Sequence, residues 1–378
     1  MIVTVLGGGH GCYAAAVEMA EKGFETRLWR RDAAALQGLQ AIGRIQVRDF
    51  RGTRDVAVGP AAGLALVEDL AQAVSGAELI IIPLPSTSHA ELARQLARQL
   101  APLLRDGQVV FLPPGTFGSY VFLSAMRDAH NDADVAFAET GTLPYLVRKH
   151  GADQLVISAY ATRLPTGVIP TRLAEPAFRI LHDAYPSVEP IEDCLSAALM
   201  NAGPIIHPPL ILMNAGPLEH FDQWDIHNEG TQPSIRRVTQ QLDAERMAVR
   251  EALGYGAPHF PLADHYDEAG GEPWMYGRGA HGKLTDSGDW REDIDLQTHR
   301  YMLEDTRLGL SFLVSVGRWA GVPMPIAEGL LNIASAVAAR DLYGEGRTLE
   351  SLGLATLSRV QLQELLTQGL NVGDRSRG

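Results

Sequence analysis

Ile2-Val3-Thr4-Val5-Leu6 runs directly into Gly7-Gly8-Gly9-His10-Gly11-Cys12, then an alanine-rich stretch, then Glu25-Thr26-Arg27-Leu28-Trp29-Arg30-Arg31. An apolar strand, a glycine-rich turn, a helix and a second strand, all within about thirty residues, form one mononucleotide-binding half of a doubly wound sheet. Gly7 permits the tight turn, and Gly9 lets the backbone approach a pyrophosphate. The helix that follows offers unpaired N–H groups and its positive end. Gly7, Gly9, His10 and Gly11 are therefore candidate cofactor contacts. Cys12 takes the third fingerprint position and is small enough for close helix–strand packing. A glycine loop with no ligand is the competing reading, and the strand before and helix after it argue against that.

The end of the second strand selects the dinucleotide. An Asp or Glu there usually holds the ribose hydroxyls of NAD. This chain has Trp29-Arg30-Arg31-Asp32. Two permanently charged, planar guanidiniums suit a 2′-phosphate, so Arg30 and Arg31 favour NADP over NAD. Asp32 keeps a ribose contact open.

A length of 378 residues suggests two domains. The net charge of −13 argues against non-specific binding to nucleic acid or an anionic membrane, since both need a basic field. An anionic substrate must then be caught by locally placed Arg. Two cysteines make no disulfide framework. With a first strand at residue 2, no signal peptide is expected, and no uninterrupted apolar run suggests a membrane span. A cytoplasmic enzyme is the expectation. No metal-ligand pattern stands out.

Residues 1–120 alternate strand and helix. Ile45–Val47 and Asp55–Val58 read as short strands, Leu64–Val74 as a helix, and Glu78–Pro83 as a buried parallel strand. Ser88–Leu104 reads as an amphipathic helix and Gln108–Leu112 as another buried strand. Pro83, with Pro85, and Pro114-Gly115 follow strand C-termini, where open α/β sheets bind their ligands. Val135–Ala138 and Leu155–Tyr160 are expected to extend the sheet, and Thr171–Tyr185 to close the domain. Long helical periodicity then dominates at 194–215, 233–254, 299–321 and 324–340, with a further helix near 358–370. The reading is an α/β Rossmann-type N-terminal domain over 1–185, an all-α C-terminal domain over 186–370, and a mobile tail over 371–378. Apolar helices in the second half suit a homodimer.

In the helical half, His207 lies between an apolar run and Pro208-Pro209, which remove two backbone donors from a helix. A core histidine at a kink is the plain alternative. Arg300, Glu304 and Asp305 open a helix whose remainder is apolar. Acids in a first turn usually serve the helix dipole. An inward-pointing Asp305 would instead need a cationic partner.

In order and spacing, several segments together resemble the opine dehydrogenases of the octopine/nopaline type. They are Val5–Gly11, Pro114-Gly115, Ala138–Tyr145, His207-Pro208, Glu229-Gly230 with Pro233-Ser234, and Leu242–Arg246. Tyr301 with Glu304-Asp305 and Gly321–Pro325 complete the set. The likeness spans nearly the whole chain. It implies NAD(P)H-dependent reductive condensation of an amino acid with a 2-oxo acid through an imine, with catalysis in a cleft between a Rossmann domain and a helical domain. The family's His–Asp dyad carries over to His207 and Asp305, and its carboxylate-gripping Arg to Arg300. Thr142 is the residue that would contact the oxo acid. Some members carry Asn four residues before the His. This chain has Gly203 there, and Asn201 is the nearby candidate.

The nearest enzyme rival is a reductase of the glycerol-3-phosphate or 2-dehydropantoate type, which shares the first domain and uses a catalytic lysine. Outside the first helix, only Lys149 and Lys283 could supply one. A plain 2-oxo acid or imine reductase is a second rival, and a non-catalytic nucleotide sensor is a third.

Overall fold

The computed structural model describes residues 1–83, 90–262, 276–277, 282 and 291–370. The chain divides into two compact units. One comprises residues 1–197 together with the segment from 363, and the other comprises residues 198–362. Pro85, Lys283 and the tail 371–378 lie outside the described residues.

The first unit opens with β1 (Ile2–Leu6), α1 (His10–Glu21), β2 (Glu25–Trp29), α2 (Ala33–Ile42), β3 (Arg44–Asp49) and β4 (Gly52–Ala57). It continues with β5 (Leu64–Val67), α3 (Leu70–Val74), β6 (Leu79–Ile81), α4 (Ala90–Leu100), β7 (Val109–Leu112) and α5 (Gly118–Asp128). The remainder is β8 (Ala136–Thr140), β9 (Tyr145–His150), β10 (Gln154–Tyr160), β11 (Leu164–Ile169), α6 (Ala174–Ala184), β12 (Val188–Pro190) and α7 (Cys194–Ala198). Eight strands form one sheet in the order β12-β11-β8-β7-β6-β1-β2-β5. All of its neighbours run parallel except the β11–β8 pair. The chain builds β1, β2 and β5 on one side, then crosses from β5 to β6 on the other side of β1, so the order reverses at β1. That reversal is where doubly wound sheets hold their ligands.

Three sequence expectations change within this unit. Leu64–Val74 is not one helix. Leu64–Val67 pairs in parallel with β2, and a separate short helix begins only after Asp69, whose carboxylate accepts the Gln72 N–H at 2.7 Å. Leu-Ala-Leu-Val reads as helix by propensity, but the free edge of β2 outweighs that preference. Leu155–Tyr160 does not extend the main sheet. It joins a second sheet, β4-β3-β10-β9, pairing parallel with β3 and antiparallel with β9. Finally, the unit does not end at 185. The strand β12 pairs with β11, and the Ile191 N–H continues to Thr166 O at 3.0 Å. The Pro and Gly within β11 hide it from a sequence reading. A side chain at Gly167 would strike the Asp193 carbonyl, so glycine there serves close backbone approach.

The second unit holds α8 (Gly203–Met213), α9 (Ala215–His220), α10 (Pro233–Ala252), a π-helix (Tyr301–Leu310), α11 (Ser311–Ala320) and α12 (Pro325–Ala338). A last helix, α13 (Arg359–Gln368), carries the chain back to the first unit, where Gln368 O accepts from Arg172 Nε at 3.3 Å. The expected helix over 194–215 is broken at 199–202, and α8 continues through Pro208 and Pro209. Residues 194–213 are, against the sequence expectation, long and apolar enough to cross a membrane. Most of that stretch is buried in the protein. The expected helix over 299–321 divides into the π-helix and α11.

Buried charge stitches the second unit together. Arg246 donates from Nε to Asp243 at 2.6 Å and from its other nitrogens to the carbonyls of Leu199, His259 and Phe260. Asp243 also accepts the Leu262 N–H at 2.6 Å. Glu245 accepts the N–H groups of Ile326 and Ala327 at the start of α12, at 2.7 and 2.9 Å. The segment Leu242–Arg246 is therefore a structural clamp, with each buried charge satisfied by bonded partners.

Candidate active site

In the first unit, Gly7 leaves β1 at φ +130°, a backbone region that side-chain-bearing residues avoid, and its N–H bonds Trp29 O at 2.8 Å. Gly9 caps α1 without any side-chain bond, and no acidic residue lies in the first turn. Those N–H groups and the dipole end are thus suited to a phosphate. Gly11 is glycine for packing. A methyl there would meet Leu143 at 2.8 Å and Pro83 at 3.2 Å. Pro83 is buried against this turn. Cys12 is fully buried, with its thiol pushed up to about 12 by burial, so it packs and does not react.

His10 is exposed on the turn, and its Nδ1 accepts the Lys149 N–H at 2.7 Å. The Arg30 guanidinium lies over Gly8, where a Cβ would sit 2.8 Å from Arg30 Cζ. Arg30 also reaches the Tyr13 hydroxyl at 3.4 Å and Asp32 at 3.3 Å. Asp32 meanwhile caps α2 by accepting the Ala35 N–H. Arg31 is exposed. The structure thus brings Gly7, Gly9, His10, Gly11, Arg30 and Pro83 around one turn. Pro114 and Gly115 follow β7, two strands away on the same sheet edge. Gly115 packs against the buried Glu139 carboxylate, which accepts the N–H groups of Phe117 and Ser119 at the start of α5. Thr142 is half-buried beside Leu143, and its carbonyl accepts from the Thr140 hydroxyl.

In the second unit, α8 and the π-helix bring together residues 98 positions apart. His207 Nδ1 and Asp305 Oδ2 are 2.8 Å apart. The imidazole stacks on Tyr301, with ring centroids 3.8 Å apart and an interplanar angle of 17°. The Tyr301 hydroxyl accepts from Arg300 Nη2 at 3.3 Å and lies 3.5 Å from His227 Nε2. Arg300 also lies over the Tyr301 ring, 4.8 Å from its centroid. Tyr301 is thus the platform that positions both the imidazole and the guanidinium. Sequence reading noted Tyr301 only within a motif and missed His227 altogether. His227 gives no periodic signal, because it lies in an irregular stretch between α9 and α10.

The wider turn of a π-helix aims Asp305 at His207 while Tyr301 stays beneath it. Thr306 supports the widening by donating its hydroxyl to Tyr301 O, five residues back, at 2.9 Å. Close approach of the helices does the rest. A side chain at Gly309 would strike Pro204, and one at Gly203 would strike Asp305 Oδ1. Gly203 is therefore the space into which the aspartate fits. Asn201 is buried, and its side-chain oxygen accepts the Gly203 N–H at 3.0 Å.

The electrostatics of the imidazole run against its ion partner. Asp305 alone would favour a protonated His207. Burial outweighs it, with help from Arg300 and His299, and the imidazole is held below its ordinary value of 6.5. It is neutral at neutral pH and can accept a proton. Arg300 is opposed by burial, yet Tyr301, Glu304, Glu292 and Asp305 together hold it firmly charged. It can therefore bind a carboxylate at any working pH. Lys149 lies in the first unit, with its ammonium over the Tyr13 ring. No group of His, Cys, Asp and Glu suited to a metal occurs among the described residues.

Comparison with known proteins agrees with both halves. Residues 190–338 match the family described as NAD/NADP octopine/nopaline dehydrogenase, alpha-helical domain. Residues 2–112 match the NAD-dependent glycerol-3-phosphate dehydrogenase N-terminus. The chain is 30% identical over 366 residues to an opine dehydrogenase of Arthrobacter sp. (strain 1C), covering 95% of this chain and 97% of that protein. Octopine dehydrogenase with NADH and L-arginine shares the fold, with a TM-score of 0.71 and 18% identity over 98% of each chain. Yersinopine dehydrogenase with bound NADP+ shares it with a TM-score of 0.64 and 15% identity, again over 98% of each.

Gly203→Ala tests the packing. Alanine is the better helix former, so without a clash the change should be neutral or mildly stabilising. We expect kcat to fall at least about tenfold, as Asp305 is displaced from an orienting bond of order 1–2 kcal/mol, with dinucleotide affinity intact. Steady-state kinetics with a binding titration check this, and an unchanged kcat would remove the role given to Gly203.

Proposed function

The chain belongs to the opine dehydrogenase family, NAD(P)-dependent oxidoreductases that join an amino acid to a 2-oxo acid by reductive condensation, and we propose that His207, Asp305 and Arg300 carry that reaction here. The observation that carries the assignment is the 2.8 Å His207–Asp305 bond, with the imidazole stacked on Tyr301 and Arg300 on the same ring. A structural ion pair alone needs no permanently charged guanidinium held on the ring that carries its imidazole.

The first unit fits the dinucleotide: an uncapped α1, the φ-positive Gly7, and Arg30 over Gly8. Gly7, Gly9 and Gly11 shape that turn, and Arg30 with Arg31 faces the adenosine end. When bound, the reduced nicotinamide supplies the hydride.

In the direction of synthesis, the amine attacks the oxo acid carbonyl, water leaves, and the resulting imine carbon is reduced. Arg300 holds a substrate carboxylate by paired N–H donors. His207 keeps Nε2 for the reacting group, because Asp305 engages Nδ1. In its protonated form it donates to the departing hydroxyl; in its neutral form it takes a proton from the amine during oxidation. Asp305 fixes tautomer and orientation. Thr142 and Asn201 are the further substrate contacts of this reading, and Pro83, His10, Pro114 and Gly115 its further cofactor contacts. NADP preference rests on Arg30 and Arg31. A cytoplasmic location is supported by the two cysteines, Cys12 and Cys194, both of which are free. A homodimer is supported by exposed apolar side chains such as Phe221 and Ile333.

His207→Ala should cut turnover about 10²–10⁴-fold with dinucleotide affinity nearly unchanged. Omitting the amine should abolish oxidation of the reduced dinucleotide by the wild type. Ordinary turnover in the variant would remove the assignment, and full activity without amine would turn the reading to a simple 2-oxo acid reductase. In the same assay, Arg300→Ala should mainly raise KM for the carboxylate substrate. An unchanged KM would count against its grip.

A further inference from the structure

Lys149 is one of the two lysines, with Lys283, that a reductase of the glycerol-3-phosphate type could have used for catalysis. Its position gives it another task. It lies on β9, in the second sheet of the first unit, and its backbone N–H donates to His10 Nδ1 at 2.7 Å. That bond pins the strand to the glycine turn. Its half-buried ammonium stands 4.7 Å from the centre of the Tyr13 ring and donates to Gly151 O at 2.9 Å.

Arg30 reaches the other end of the same side chain, the Tyr13 hydroxyl, while its guanidinium lies across the backbone of Gly8. Two cations from well-separated segments thus converge on Tyr13, beside the turn that suits a dinucleotide. Arg31 adds a third positive group to this end of the unit. Asp32 pairs with Arg30, and Asp153 acts on the Tyr13 hydroxyl from further off. Among the described residues, no carboxylate lies in ion-pair range of Lys149. Burial, and then Arg30, press the Lys149 ammonium below its ordinary value. Like charges gathered in a part-buried place are costly unless an anion joins them.

We propose that Lys149 is a specificity-determining residue that, with Arg30, binds the 2′-phosphate of NADPH. The proposal rests on the reading that a nicotinamide dinucleotide occupies the glycine turn. The 2′-phosphate is favoured over the pyrophosphate because Arg30 leaves the end of β2, the position from which doubly wound sheets read the adenosine ribose. The pyrophosphate belongs instead to the start of α1. Lysine is well suited to this task as a point charge beside the planar Arg30.

The test is direct binding, by fluorescence titration of the full-length protein with NADPH and with NADH. Lys149→Met keeps the aliphatic stem against Tyr13 and removes the charge. NADPH affinity should fall roughly tenfold, the scale of a charge-assisted hydrogen bond, while NADH affinity stays within about twofold. Lys149→Arg should retain most of the NADPH affinity. Adenosine 2′,5′-bisphosphate should compete with NADPH more weakly in Lys149→Met than in the wild type, and 5′-AMP equally in both. An equal loss for NADPH and NADH, or no loss for either, overturns the proposal. Failure of the wild type to bind either dinucleotide would instead overturn the reading of the turn itself.

Discussion

The bond between His207 and Asp305 organises the second unit. It requires an imidazole on one helix and a carboxylate on another to meet in a part-buried cluster of polar and charged side chains, and each helix departs from regularity to allow it. The helix α8 opens at Gly203, where a side chain would occupy the aspartate's place, and continues through two prolines that take no part in its hydrogen-bond ladder as donors. The facing segment adopts a π-helix, a form that costs hydrogen-bond quality and occurs mostly at functional sites. Tyr301 then lies flat under the imidazole and also carries Arg300 over its ring. A permanently charged group and a titrating one are thereby fixed on a single rigid ring.

The balance of charge in this cluster differs from a simple ion pair. Asp305 draws a proton toward His207, but burial and the nearby Arg300 oppose it more strongly. The result is a histidine held neutral by its surroundings and kept in one tautomer by its partner. Such a group passes readily between accepting and donating a proton, which a reversible condensation needs in both directions.

Much of this arrangement was legible in the sequence. The first strand, glycine turn and helix announced themselves, because glycine spacing and apolar runs are local signals. The pairing of His207 with Asp305 was legible only through resemblance, since no local rule joins residues so far apart. Other features were hidden for identifiable reasons. Leu64–Val67 has helical composition and became a strand because β2 had a free edge. The strand β11 is masked by its own Pro and Gly. Leu155–Tyr160 has clear strand character, yet nothing in it says which sheet it joins. The π-helix leaves no periodic trace, and His227 reaches Tyr301 from an irregular segment. Conversely, Leu242–Arg246 read as a family signature, and its charges prove to hold loops and helix ends in place. Gly203, where the resemblance led one to look for Asn, is the room that Asp305 requires.

The most direct test of the account is the pH dependence of kcat/KM for oxidation of the opine product, measured for the wild type and for Asp305→Asn. In this direction neutral His207 is the active form, so the rate should rise with pH through an inflection below the ordinary histidine value and then level off. Removing the carboxylate removes the main influence that raises the His207 pKa. The inflection should therefore move further toward acid in Asp305→Asn, alongside a lower plateau from the lost orientation. An inflection that stays in place, or moves toward alkali, would contradict the pairing of His207 with Asp305 as the proton-transfer device.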